Sequence, residues 1–176
     1  MLSYIIQLVF PLLPDTRLFR LKALLLRLRG FHIGHNVRVV SSVKIKLKML
    51  SVGDNTFIGH DTLIAGGDAL VEIGHNVDIA PRCVLLTGSH ELGGSAHRAG
   101  AGRSEGIRIG DGTWVGAATT VLGGVHIGRG CVIGAGSLVR SDIQDDCLAA
   151  GVPARVIREL PRARTTDEQR CSAARS

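Results

Sequence analysis

Residues 107–143 read IRIGDGTWVGAATTVLGGVHIGRGCVIGAGSLVRSDI. Ile109, Val115, Val121, Ile127, Ile133 and Val139 stand six residues apart, and Gly follows four of them, at 110, 116, 128 and 134. Two positions before each aliphatic from Val115 onward lies a small or β-branched residue: Thr113, Thr119, Val125, Cys131 and Ser137. A period of six is neither the 3.6 of a helix nor the two-residue alternation of a long strand. It describes a short strand and a tight turn, repeated.

Three such units, one to a side, close a triangular coil. Coils stack with parallel strands about 4.8 Å apart, so each aliphatic rests on the same residue type one coil away. Small residues at the second inward position fit a narrow interior, and Gly after the aliphatic suits turn geometry. The predicted fold is all-β: a left-handed parallel β-helix of hexapeptide repeats. Upstream, the beat continues in Val52, Ile58 and Ile64 and in Ile73, Ile79 and Leu85, with Ile33 and Val39 as a degraded first turn.

Two interruptions break the beat. Ile64 and Ile73 are nine apart, which makes AGGDAL (65–70) a small bend. Leu85 and Ile109 are 24 apart, across TGSHELGGSAHRAGAGRSEG (87–106). A solenoid accommodates such an insertion by extruding it from a corner, so residues 91–106 are expected to form a loop outside the prism. Long loops on rigid repeats are usually functional.

Composition agrees with thin repetitive layers. The chain has 176 residues, enough for one domain, with 23 Gly and only 3% aromatics. The net charge of +6 is uneven, with basic clusters in residues 15–29 and at Arg155, Arg158, Arg162 and Arg164. Such clusters suit phosphates. Basic residues are not interleaved with stacking aromatics, so no nucleic-acid partner is expected. Cys83, Cys131, Cys147 and Cys171 have no zinc-type spacing. Cys83 and Cys131 fall on inward repeat positions and read as small core residues. The opening MLSYIIQLVFPLLP is too short an apolar run to span a bilayer and lacks the marks of a signal peptide. A cytoplasmic protein is expected.

The ends divide the chain into a helical segment (1–30), the β-helix (31–153) and a tail (154–176). Residues 16–29 place Leu18, Leu21, Leu25 and Leu28 at helical spacing, with Asp15 or Thr16 as cap. Two compatible readings stand for this helix. It packs on the open end of the β-helix, whose strand edges need covering, or it rests peripherally on an anionic membrane. ARVIREL (154–160) is expected to form a short helix, and 161–176 reads as disordered.

Among seven His, His35, His60 and His75 follow Gly at turn positions and read as exposed corners, and His126 as an outward strand residue. His90 differs, because it stands where the beat stops. Coil geometry supplies a candidate orienting carboxylate: Glu72 precedes His90 by three hexads, one full coil, with Glu91 and Asp78 as rivals.

The run 107–143 followed by AAGVPARVIREL (149–160), together with TGSHE and GTWVG, resembles the hexapeptide-repeat acetyltransferases. It is most similar to the branch with maltose, galactoside and surface-polysaccharide O-acetyltransferases. The resemblance covers roughly residues 30–160. It implies a homotrimer that binds acetyl-CoA between neighbouring β-helices and acetylates a sugar or glycan hydroxyl without a metal. The family's catalytic His falls on His90, as general base. Its cofactor contacts fall on Trp114, the backbone at Ala117 and Ala135, and Arg140, Ser141, Arg155 and Arg158. This chain has Arg140-Ser141 where the family often has Thr-Lys. The Asn that some relatives place near the acceptor is missing, which leaves Asp68 as the nearest polar candidate. Serine or antibiotic acetylation uses the same fold and the same His, and a non-enzymatic scaffold is the reading outside catalysis.

Overall fold

The computed structural model describes residues 2–162. Three parallel sheets form the faces of a prism. The first face stacks His32–Ile33, Leu50–Val52, Val71–Ile73, Ile107–Ile109 and His126–Ile127. The second begins with Arg38–Val39 and ends with Cys147–Gly151 and Ala154–Glu159; the third runs from Lys44–Lys46 to Leu138–Val139. The beat's aliphatics point inward: Val52, Ile58, Ile64, Ile79, Leu85, Val115, Val121, Ile127 and Val139 are wholly buried. The fold is the predicted three-faced parallel β-helix.

Strand pairing gives the length of each coil. Along the first face His32 lies beside Ser51, Ser51 beside Glu72, Glu72 beside Arg108 and Arg108 beside His126. The second and third faces repeat these intervals. The last interval, Arg108 to His126, is the basic coil of three hexads. The first exceeds it by one position, the second by three, and the third by the length of a whole further coil. Ile33, Val39 and Ile45, then Val52, Ile58 and Ile64, then Ile73, Ile79 and Leu85 keep the spacing of six. All three insertions consequently fall at one corner, between the third face and the first.

The small inward residues close the interior by bonding along the prism axis. Thr56 Oγ1 donates to Gly74 O at 2.8 Å and Thr113 Oγ1 to Gly128 O at 2.8 Å. Cys83 and Cys131 occupy the same layer, and burial pushes both thiols up. Glycine after the aliphatic has a different reason from the turn geometry expected. Gly110 is not in the left-handed region; a Cβ on it would lie 2.6 Å from Arg129 N in the next coil. The left-handed residue comes two positions later, as Asn36, Asn55, Asn76 (φ 51–58°) and Gly112 (φ 69°).

Carboxylates at the same corner cap free backbone N–H groups. Asp145 accepts from Arg129 N–H at 2.8 Å and from the Arg129 guanidinium at 2.9 Å. These bonds, the backbone one first, hold its carboxyl below the usual carboxylate range.

Both ends depart from expectation. Helix α1 spans Leu2–Val9 and α2 Phe19–Leu28. The α2 cap is Leu18 at φ 55°, with no side-chain bond, so Asp15 and Thr16 do not cap it. Instead buried Lys22 reaches back to Pro14 O (2.7 Å) and Asp15 O (2.6 Å). The helix covers the open end of the prism with Ala23 and Leu26, while Leu18, Leu21 and Leu28 of the expected stripe stay exposed and Leu25 is half-buried. Arg27 explains that rotation: its guanidinium donates to Ile33 O (2.8 Å) and Gly34 O (2.6 Å), on the first coil. At the other end ARVIREL is no helix. Ala154–Glu159 is a strand, antiparallel to Cys147–Gly151. The chain reverses at Gly151 (φ 108°), and the backbone of 154–159 takes the open edge that the last coil presents. The tail after residue 162, with Cys171 and Arg164, lies outside the described residues.

The corner geometry can be tested by unfolding. Gly110→Ala should cost about 1–3 kcal/mol through overpacking, whereas Gly112→Asn should stay within about 0.5 kcal/mol, read by thermal or denaturant unfolding. Asp145 has a depressed carboxyl, so its contribution is present above the ordinary carboxylate range and is lost as pH falls through the folded value. Asp145→Asn should flatten the fall of Tm below about pH 4.

Candidate active site

The largest insertion is an ordered hairpin and not an irregular loop. Gly88–Leu92 pairs antiparallel with Ala99–Ser104, setting His90 opposite Gly102. Its second strand, AGAGRS, has almost no side chains to bury, so backbone bonds hold it. The hairpin begins at Gly88, so His90 belongs to the insertion and projects beyond the prism.

The His90 side chain is exposed, and its Nδ1 lies 3.0 Å from Gly100 O. A carbonyl oxygen can only accept, so Nδ1 carries the hydrogen. That tautomer leaves the Nε2 lone pair free to take a proton. The ring opens on a cleft of about 460 Å³ formed by Gly67, Asp68, Gly88, Ser89, His90, Gly102, Arg103 and Ser104.

The three insertions at this corner are tied to one another. Lys48, beside the smallest insertion, pairs with Asp68 of the AGGDAL bend at 2.9 Å. Ser104 at the hairpin base accepts from Ala69 N–H (3.2 Å) and donates to Thr87 Oγ1 (3.3 Å). A Cβ on Gly67 would lie 2.7 Å from Ser104 Cβ, so the bend seats against the hairpin only because it is glycine. Asp68 thus lines the same cleft as His90. Ser104 and Gly67 escape a reading of the sequence, although the shared corner of the interruptions was a usable signal. The remaining hairpin charges pair locally: Arg103 with Glu105 at 3.0 Å and with Glu91 at 3.8 Å, and Arg98 with Gly93 O at 3.4 Å.

Glu72 does not orient His90. The insertion falls before the strand that would have stacked on Val71–Ile73, so the residue above Glu72 is Arg108. Arg108 Nε bonds Glu72 Oε2 at 2.9 Å. The Gly100 carbonyl holds the imidazole instead, and Glu91 is engaged with Arg103. Asp78 lies on the second face between Phe57 and Trp114.

The expected cofactor residues fall into separate places. Ala117 and Ala135 stack at the corner between the second and third faces, where Gly136 N–H donates to Ala117 O at 2.8 Å. Arg140 and Ser141 follow Leu138–Val139 at the hairpin's own corner, both exposed. Trp114 is 56% exposed on the second face. Arg155 and Arg158 lie on the outermost strand of that face, opposite Ala150 and Leu148. Within one chain, the width of the third face separates Ala117 and Ala135 from His90. Among the described residues no three His, Cys, Asp or Glu side chains form a metal-binding group.

Residues 106–141 match the family described as bacterial transferase hexapeptide (six repeats). The chain is 38% identical over 153 residues to the putative colanic acid biosynthesis acetyltransferase WcaF of Escherichia coli K12, covering 86% of this chain and 81% of that one. The galactoside O-acetyltransferase of E. coli K12 is 41% identical over 115 residues, 62% of this chain and 57% of the relative. The chain spans little more than half the length of the first curated relatives it matches. A hexapeptide-repeat acetyltransferase from Vibrio cholerae, solved with acetyl coenzyme A, superposes with a TM-score of 0.75 at 27% identity, covering 92% of this chain and 86% of that one. The chain belongs to the hexapeptide-repeat acetyltransferase family, and its prism is a left-handed β-helix.

The Glu72–Arg108 pair is exposed, so Glu72→Gln should cost less than about 1 kcal/mol. It should leave the His90 ring resonances in an NMR spectrum unshifted, whereas Gly100→Pro, which displaces the carbonyl partner's strand, should move them.

Proposed function

We propose that this chain transfers an acetyl group from acetyl-CoA to a sugar hydroxyl, in surface-polysaccharide or glycolipid assembly in the cytoplasm, with His90 as general base. The observation that carries the proposal is the 3.0 Å contact of His90 Nδ1 with Gly100 O, which commits Nδ1 as donor and leaves Nε2 available, at a cleft that His90 lines together with Asp68. A hydroxyl is a poor nucleophile at neutral pH, and a positioned neutral imidazole removes that obstacle. Nε2 takes the hydroxyl proton as the oxygen attacks the thioester carbonyl. The C–S bond then breaks, and the imidazolium returns its proton to the departing thiolate. Asp68 is suited to accept a hydrogen bond from a neighbouring sugar hydroxyl.

The thioester oxygen gains charge and needs donors; the backbone N–H of Ala117 is assigned to the cofactor, Ala135 to the pantetheine arm, and Arg140, Ser141, Arg155 and Arg158 to the nucleotide phosphates, with Trp114 at the groove. The separation of Ala117 and Ala135 from His90 supports a homotrimer, in which a neighbouring prism completes each groove. Galactoside acetylation by one relative and bound acetyl coenzyme A in another support the donor and acceptor classes.

Thiol release from acetyl-CoA, measured with a panel of sugars, sugar nucleotides, serine and aminoglycosides, tests the reading. Acceptor-dependent release with a sugar is expected, and His90→Gln should lower kcat by about 10²–10⁴-fold with CoA affinity unchanged. A wild type that binds no CoA would sink the proposal.

A further inference from the structure

Charge along this chain is strongly polarised. Residues 1–53 contain nine Lys and Arg and a single acid, Asp15, for a net +8, against +6 for the whole chain. The remainder is therefore slightly acidic. The first 28 residues of the cationic segment include the helices that close the open end of the prism, and the rest forms the first coil and the start of the second; Lys22 is buried and Lys48 pairs with Asp68.

The same end exposes clustered aliphatic surface. On α1 and the turn after it, Tyr4 is 66% exposed, Leu8 58% and Leu12 81%; on α2, Leu21 is 41%, Leu24 49% and Leu28 53% exposed. Scattered exposed leucines are ordinary, but here six large apolar side chains are exposed on two adjacent helices and the turn between them. Local structure does not require them there, because α2 makes its contacts with the first coil through Ala23, Leu26 and Arg27. Between the helices and the third face lies a cleft of about 250 Å³ with Phe10, Leu26 and Val43 in its walls and Arg29, Lys44 and Lys46 around it. The Arg29 Nε is buried there with no hydrogen-bond partner among the described residues.

We infer that this end of the molecule docks on an anionic lipid bilayer. The leucines enter the interface, Arg17, Arg20, Lys44 and Lys46 meet lipid phosphates, and the cleft beside Arg29 takes a headgroup phosphate. Apolar side chains flanked by a cationic field are the physical signature of a segment that lies in the bilayer surface. No helix among the described residues is long and apolar enough to cross a membrane, so contact is with one leaflet. A second copy is a poor occupant, since it would set two cationic ends against each other. Docking would also hold the His90 cleft close to the bilayer: the hairpin leaves the third coil, about 10 Å along the axis from the first. That consequence, access to a lipid-linked acceptor, rests on the acetyl transfer proposed above; the docking itself does not.

Vesicle flotation with the full chain tests the docking. Wild type should float with phosphatidylcholine vesicles containing about 30% phosphatidylglycerol and not with phosphatidylcholine alone, and should be released near 0.5 M salt, roughly the regime where the Debye length falls below 5 Å. Leu24→Ser/Leu28→Ser and Lys44→Glu/Lys46→Glu should each lower the bound fraction about tenfold or more. All four positions are exposed, and unchanged CoA binding verifies folding. Wild type that stays in solution with anionic vesicles overturns the inference, as do variants that float equally well. Equal flotation with neutral vesicles removes the electrostatic half and refutes it as stated. Thiol release with soluble acceptors is read separately, so failure of docking and failure of acetyl transfer are distinguishable.

Discussion

Everything in this molecule depends on keeping one coil in register with the next. Parallel strands about 4.8 Å apart leave the interior no room for irregular side chains. Each inward aliphatic must therefore sit on another, and each corner must pass within van der Waals contact of the corner above. Gly110, with Arg129 N 2.6 Å from where its Cβ would be, marks how tight that approach is. Thr56, Thr113, Cys83 and Cys131 satisfy the same constraint from within, as small residues whose polar atoms bond the neighbouring coil.

A scaffold this strict tolerates extra residues only where the chain can leave the stack without disturbing the pairing. Here it leaves three times, always at the corner between the third face and the first. The insertions grow from a single position, to three, to the length of a full coil. Because they are superposed, they touch: Lys48 meets Asp68, and Ser104 meets Ala69. The candidate site is the product of that superposition. A rigid prism supplies fixed positions, and the protruding residues supply the chemistry, with His90 held by a backbone carbonyl of its own hairpin.

The two ends of the prism solve the open-edge problem differently. At the C-terminal end a reversed strand pairs with the last coil through backbone bonds and buries Ala154. At the N-terminal end helices cover the first coil, and Arg27 bonds its free carbonyls. The helical solution leaves exposed leucines among basic residues; the strand solution exposes Val156 and Ile157 beside Arg155 and Arg158. The molecule consequently has a polarity along its axis that the near-symmetric repeats do not possess.

Much of this was legible before folding. The six-residue spacing from Ile109 to Val139 specifies strand, turn and interior, because the period itself is the geometry of the coil. The interruptions after Ile64 and Leu85 locate the insertions, and His90 stands out by its place in one of them. Pairings across an insertion were not legible: an excess as long as a coil moves the partner of Glu72 from His90 to Arg108, and counting cannot tell on which side of a strand the excess falls. Nor could the tail be read, since ARVIREL has an acceptable helical pattern and becomes a strand only because a neighbouring edge offers it backbone partners. The face of α2 that turns inward was likewise settled by Arg27 reaching carbonyls of the first coil. Local period is written in the chain; which backbone edge, carbonyl or charge meets it is decided only by the packed structure.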